Sequence, residues 1–552
     1  MKFFIPFFLL IPFISSGIVD IRSAGYSKTF VDFKATVPGF YLTVDRTYNS
    51  RSLFNGLFGF GWCSNFETNL EVLPDNSLKV TECGGGMEVF YYPKNKKADA
   101  SLQIDLILKE IKKRKTIKSA KSLEQLKKDL IESQTLRADF LRALKIKGKA
   151  NKGSVYYAKG KSNEYIVFES KGYKRTLPNG LSEVFNNEGQ LKRSFDKFGK
   201  AIDIFWQPES VRIVNDSGHQ VTLVLDPKIK KVKTIKFGNK KVASYKYKNE
   251  NLIAINNSFG EKFLHSYDKF HNLVKTVYPD KTQEALTYNL DKDWVIGFKN
   301  RKNCHEKYTF AKNSKNPNHY FSTVQKKCGR KIVNKSKYEF WNRSLSSGSK
   351  YLHRARVVVN GRLKTDVVYH PKFGSPISLL KNGIRTKRFY YANGLLKRKE
   401  DPFKIVEYRK YTKKCGKPEL VALKYRDSRT KKVVKTENIR IEMTEKCLLS
   451  KAFKSDSEWI QIKHNKEGQM VYMEDQSRKS IKIQWHKTLK KPSMITRVGV
   501  GSIKIVYDQA GQVVDVTAGN SDSGPTVISQ VSSVFNSFLQ TLSPVAEEMV
   551  IL

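Results

Sequence analysis

The sequence predicts an all-β protein: one long, mostly antiparallel sheet of repeated hairpins, with a helical insertion near its start and a helix at its end. Three observations carry that expectation. Short runs rich in Val, Ile, Tyr and Phe alternate with turn residues along most of the chain. A degenerate unit near 21 residues long recurs through them. Helical spacing of apolar residues is confined to two stretches, about 97–150 and 525–543. The chain has 552 residues, 12% of them aromatic, which is too apolar for a disordered protein.

The elements follow in order. Residues 1–17 read as a cleavable secretory signal: Lys2 gives the positive start, Phe3 to Ile14 the apolar run, and Ser15 and Gly17 the small residues before cleavage. The run is shorter than the roughly 20 residues a membrane-spanning helix needs. Residues 18–96 form an N-terminal β domain, with Pro74-Asp75-Asn76 and Gly84-Gly85-Gly86 as turns.

Residues 97–150 form a basic helical insertion. Leu102, Leu106, Ile107 and Ile111 mark one helix; Leu123, Leu126, Leu130, Phe140, Leu141 and Leu144 mark a second, opened by a capping box at Ser122 and Gln125. The insertion packs its leucines on the sheet and exposes its lysines; a basic amphipathic helix on an anionic membrane is the other option. Residues 151–519 return to strands, with Asn-Gly turns at Asn382-Gly383 and Asn393-Gly394. Residues 520–552 are a linker and an amphipathic helix that starts at Pro525.

The repeat has a simple physical logic. Its unit is an aromatic residue, then Asp or Asn, then a few polar residues that often include Gly, then an aliphatic strand. Tyr267-Asp268 opens one copy; Tyr507-Asp508, with Gly511, opens the cleanest. Phe185 and His464 head others, and looser copies begin at Tyr247, Tyr288, Tyr369 and Tyr391. The aromatic ends a strand and packs inward. The Asx side chain accepts hydrogen bonds from the turn's own amides. One period is one hairpin. Each hairpin buries little alone, so the hairpins must join edge to edge.

This unit resembles the YD repeat of Rhs-type proteins. The stretch Arg46-Thr47-Tyr48-Asn49-Ser50-Arg51-Ser52, followed by Gly56-Leu57-Phe58-Gly59-Phe60-Gly61-Trp62, resembles the opening of those chains. The resemblance implies a β-sheet spiralling into a partial shell or open barrel; full-length members enclose a C-terminal toxin. This chain departs from the toxin-carrying pattern. It is short, Asp401-Pro402 stands alone without a Gly-rich cleavage motif, and no effector domain is evident. Arg46 and Trp62 are expected to be structural, Arg46 as a pair partner and Trp62 as core.

Six cysteines fall into three local couples, which predicts disulfides Cys63–Cys83, Cys304–Cys328 and Cys415–Cys447. None forms a CxxC, and no His stands at zinc-finger spacing. Gly59 and Gly61 lack the third glycine and the following helix of a phosphate loop. No HExxH or GxSxG is present, and the nine histidines are scattered. No catalytic, cofactor or metal residue is assigned; an envelope hydrolase built on paired carboxylates is a lesser alternative.

The net charge is +49. Lys230, Lys231, Lys233, Lys240, Lys241, Lys397, Arg398 and Lys399 are the polyanion-binding candidates, on the argument that alternation sets charge on one sheet face and aliphatics on the other. Charge that only keeps strands soluble is the competing explanation. With an export signal, the expected partner is anionic glycan or lipopolysaccharide, and nucleic acid less so. The expected function is an exported, non-enzymatic binding or adhesion module at the cell surface or in the envelope. The alternative is a truncated toxin-delivery shell that encloses or chaperones another polypeptide.

Overall fold

The fold is described from a computed structural model of the chain. It describes residues 18–518 apart from 53, 84–86, 94–99, 115–116, 118, 159–160, 346–349, 455–457, 488 and 508–512. The signal segment, the Gly84–Gly86 turn, Asp508, Gly511 and the C-terminal helix read from the sequence lie outside the described residues.

Two β layers make up the protein. The smaller is a four-stranded sheet in the order Ile18–Asp20, Gly25–Lys34, Thr43–Asn49, Trp62–Cys63. The larger is an antiparallel sheet of 36 strands, from Asn69–Val72 to Val513–Ala518. Each strand pairs with the next in sequence, without crossovers. No ladder joins the last strand to the first among the described residues, so the sheet is not closed. Its beginning does curl. The amide of Leu70 donates to the carbonyl of Gly189 at 2.9 Å, and Asn69 bridges Gln190. A Cβ on Gly189 would lie 1.9 Å from the Leu70 oxygen, and its φ is +83°, so only glycine fits that contact.

Alternation divides the sheet's two faces. Ile204, Val211, Ile213, Val221, Leu223 and Ile235 are buried on one side, and their neighbours point the other way. This apolar face is covered in two places. From residue 156 to 324 its side chains join those of the N-terminal sheet in one core. From 396 to 503 a second core forms within the sheet, around Val421, Leu423, Ile439, Ile441 and Ile481. Between them, every residue of strand Lys350–Val359 is only half-buried.

Several turns share one construction. Asp196, Asn257, Asp268, Asn465 and Asp475 each accept from the amides two and four residues on, at 2.8–3.1 Å. The residue three on is left-handed: Gly199, Gly260, His271, Gly468 and Arg478. His271 thus holds the slot that glycine usually takes. The aromatic at the strand end has a second task. The hydroxyls of Tyr247, Tyr267, Tyr288, Tyr411 and Tyr507 each donate to the carbonyl 15 residues earlier, at 2.5–3.0 Å. The indoles of Trp206 and Trp485 do the same. Each ring therefore ties a strand end to the strand before it.

The insertion contains three helices: α1 (Ala100–Arg114), α2 (Ala120–Glu132) and α3 (Gln134–Ala143). The sequence periodicity gave two. It misses the break because Ser133 takes an extended conformation, ends α2, and caps α3 by accepting from the Leu136 amide. The expected capping box is displaced too. Ser119 caps α2 by accepting from the Ser122 amide, while Gln125 bonds Asp129. Leu130, Leu141, Ile104, Ile107 and Ile111 bury against Leu73, and Lys121, Lys127 and Lys128 are exposed. Arg137, buried, donates to the α2 carbonyls of Leu130 and Ile131 and to Gln103. Arg142–Glu71 and Lys350–Glu132 ion pairs fasten the helices to the sheet.

Tyr267→Phe tests the aromatic tie. Its hydroxyl donates to Leu252 and accepts from the Trp62 indole at 2.9 Å. Losing it leaves two buried groups unpaired and costs about 1–3 kcal/mol. The melting temperature falls; a variant that melts with the wild type rules the tie out.

Candidate functional site

The opening motif lies between the two β layers. Arg46 is fully buried and its Nε donates to Asp32 at 2.7 Å; Tyr245 donates to the same carboxylate oxygen at 2.9 Å. Its guanidinium carbon lies 4.5 Å from the ring centroids of both Phe30 and Trp62. Its Nη1 is 3.3 Å from His265 Nε2. Burial, Arg46 and Lys28 hold the His265 pKa well below the ordinary value, so the ring is neutral and Nε2 accepts. Nδ1 then donates to Thr276, 3.0 Å away. Burial also raises the Asp32 pKa against the pull of Arg46. A second buried pair, Lys28–Glu284 at 2.9 Å, shares its carboxylate with Tyr26 and Tyr278.

Backbone contacts complete the seat. Val295 donates to Ala24, Ser258 to Asp32, Val232 to Leu57 and Leu273 to the Tyr48 hydroxyl, all at 2.8–2.9 Å. Ser50 exchanges bonds with Tyr26, Asn49 takes the Gly61 carbonyl, and Arg51 reaches the carbonyls of Lys292 and Asp293. Gly59 is left-handed, and a Cβ there would lie 2.5 Å from the Glu250 oxygen. Glu67 is buried; its carboxylate accepts from the amides of Leu57 and Ser64, and burial pushes its pKa to about 7. Sequence reasoning did not single out Asp32, Glu67, His265 or Glu284. For Asp32, His265 and Glu284 the only signal is a polar residue at an inward strand position; Glu67 sits in a single 3-10 turn, Asn65–Glu67.

The cysteines pair as Cys63–Cys83, Cys304–Cys328 and Cys415–Cys447. The first ties the small sheet to the start of the large one. Among the described residues, no group of three or more His, Cys, Asp or Glu is placed to hold a metal ion, and no helix is long and apolar enough to cross a membrane.

The basic candidates separate by position. Lys231 is buried and donates to Asn55 and Gly56, so it serves the N-terminal seat rather than a ligand. Lys230 is a left-handed turn residue reaching the Pro208 carbonyl. Lys233, Lys240 and Lys241 are exposed. Lys397 lies over Tyr391 and Arg398 over Phe389, and both line a cleft of about 350 Å³ with Arg409 and Glu407. Lys399, one residue on, takes the opposite face of its strand from Arg398.

Arg398 belongs to a wider pattern. On the face opposite the apolar one, a cation and an aromatic repeatedly stand directly across neighbouring strands. The pairs are Phe205–Arg212, Trp341–Arg354, Phe389–Arg398, Phe453–Arg440 and Tyr472–Lys463. Cation-to-centroid distances run from 4.1 to 6.0 Å. A second cleft of about 360 Å³ opens beside Trp341 and Arg354.

Comparison with known proteins adds the following. Residues 25–90, which hold the opening motif, match the model of a domain of unknown function, DUF6531. No curated protein matches the chain. Among solved structures, TcdB2-TccC3 without its hypervariable C-terminal region is similar at 7% identity and a TM-score of 0.21, over 81% of this chain and 29% of that one. The Photorhabdus luminescens Tc holotoxin pore gives 8% identity and a TM-score of 0.21, over 89% and 32%. A porin-like protein from Bacteroides uniformis gives 10% identity and a TM-score of 0.13, over 46% and 91%. The chain thus spans about a third of the length of the Tc structures it matches.

Glu67 makes stability depend on pH. Its folded pKa, about 7, lies above its ordinary 4.5, so the folded state holds the proton more tightly. Its contribution is therefore full below pH ~4.5 and is lost as pH rises through ~7. The difference in stability between wild type and Glu67→Gln changes across that window. A difference that stays flat from pH 4.5 to 8 in paired denaturant titrations refutes the assignment.

Proposed function

We propose that the chain is an exported, non-enzymatic scaffold of the Rhs/YD-repeat type that binds anionic carbohydrate on its cation–aromatic face. The cross-strand pairing of arginine or lysine with an aromatic ring carries this reading. Such a surface presents fixed positive charge beside apolar rings, and acidic polysaccharide carries both anionic groups and apolar ring faces. Each cation is held over its ring before a ligand arrives, which lowers the ordering cost of binding. Three disulfides suit an oxidising compartment outside the cytosol. The opening motif and the hairpin repeat support the family reading.

A second reading, in which the chain encloses or chaperones another polypeptide, has one observation in its favour. Strand Lys350–Val359, between the two cores, is half-buried along its whole length and contributes no residue to either core.

Retention on immobilised acidic polysaccharide, against a neutral dextran column, tests the main reading. The protein binds the acidic matrix and elutes as salt rises. Replacing Arg398, Arg440 and Lys463 together with alanine weakens binding about ten-fold, at roughly 0.5 kcal/mol per exposed cation. Equal retention on both matrices at low salt counts against it.

A further inference from the structure

The two outer-face clefts differ in charge balance. In the one beside Arg398, Glu407 lies among the cations; it pairs with Lys424 at 3.0 Å and with Arg409 at 3.8 Å. The cleft beside Trp341 has Arg343 and Arg354 on its lining and no carboxylate. Arg354 is held from behind by a bidentate pair with Asp366, both contacts at 2.8 Å. Arg343 is exposed and has no carboxylate within ion-pair distance among the described residues. The cleft therefore holds one fixed guanidinium and one whose charge is not compensated.

The other lining groups narrow the ligand. Trp341 is clamped on both sides by its strand neighbours: His319 stacks on it at 4.4 Å and 8°, and Arg354 lies over it at 5.4 Å. Partial burial, with the charges of Arg343 and Arg354 nearby, holds His353 below its ordinary pKa and so neutral. The amides of Asn318 and Asn342 line the same space and have no side-chain partner in the protein among the described residues. An amide offers both donors and an acceptor, which matches sugar hydroxyls; a bare phosphate or sulfate uses donors only.

We propose that this cleft is a subsite for one carboxylated sugar residue, a uronic acid, with the carboxylate on Arg343 and the ring hydroxyls on Asn318 and Asn342. Arginine suits the task because its planar fork meets a carboxylate with two parallel bonds. The subsite rests on the carbohydrate-binding reading and gives it a specific anchor. It assigns acidity at one point, where the wider face supplies diffuse charge.

Calorimetry with the full, disulfide-bonded chain tests it. The probes are a glucuronate-containing disaccharide, its carboxyl-reduced analogue, and inorganic sulfate. The wild type binds the uronate form about ten-fold or more tightly than the reduced one. Arg343→Ala removes that preference, Arg343→Lys restores part of it, and Lys121→Ala, exposed on the helical insertion, leaves it intact. Equal affinity for the two disaccharides, or an Arg343→Ala variant that binds like the wild type, overturns the subsite. So does displacement by sulfate at the disaccharide's own concentration, which marks a free-oxyanion site. The two readings fail separately. Polysaccharide retention without a uronate preference removes only the subsite. A wild type that binds the disaccharide but is not retained removes only the broad binding face.

Discussion

A sheet with one apolar face has to hide that face, and much of this protein follows from how it does so. A hairpin of about 21 residues buries too little to stand alone, so the hairpins join into a single ribbon. Joining satisfies the backbone but leaves the ribbon's apolar side open to water. Over the first half, the N-terminal segment lies against it. Over the last third, aliphatic side chains of the ribbon's own strands pack together. Between them, strand Lys350–Val359 contributes to neither core and is half-buried along its whole length.

The first cover carries buried charge, which is costly unless each partner is supplied. Arg46 has Asp32, two aromatic faces and a neutral histidine; Lys28 has Glu284 and two tyrosines. An apolar interface of the same area would be easier to desolvate. It would also slide. Moving the small sheet by one residue turns Lys28 away from Glu284, Asp32 away from Tyr245 and Arg46 away from His265, and sends a charge against hydrocarbon, so these contacts fix the register of one sheet on the other.

Much of this was legible in the sequence where the cause is local. The Asx turns can be read because the side chain, the amides it binds and the left-handed residue lie within five positions. The disulfide couples can be read because neighbouring strands lie close in sequence. What escaped depends on distant partners. Nothing near Lys231 says that it will face Asn55, and nothing near His265 says that it will meet Arg46. The 15-residue reach of the tyrosine hydroxyls lies between these cases; it is regular, but it appears only once the strands are paired. The helical break at Ser133 was hidden because the apolar spacing continues across it.

The strand order has a bearing on how the protein assembles as it is made. Every strand of the large sheet pairs with the one just before it, so each can add to the growing edge soon after it emerges. The N-terminal segment cannot. Tyr26 waits for Glu284, 258 residues later, and Lys28 waits for the same carboxylate. Some 258 residues must follow Tyr26 before it can take its place. The small N-terminal sheet is thus among the last of the first half to settle, and it closes that core from its open side.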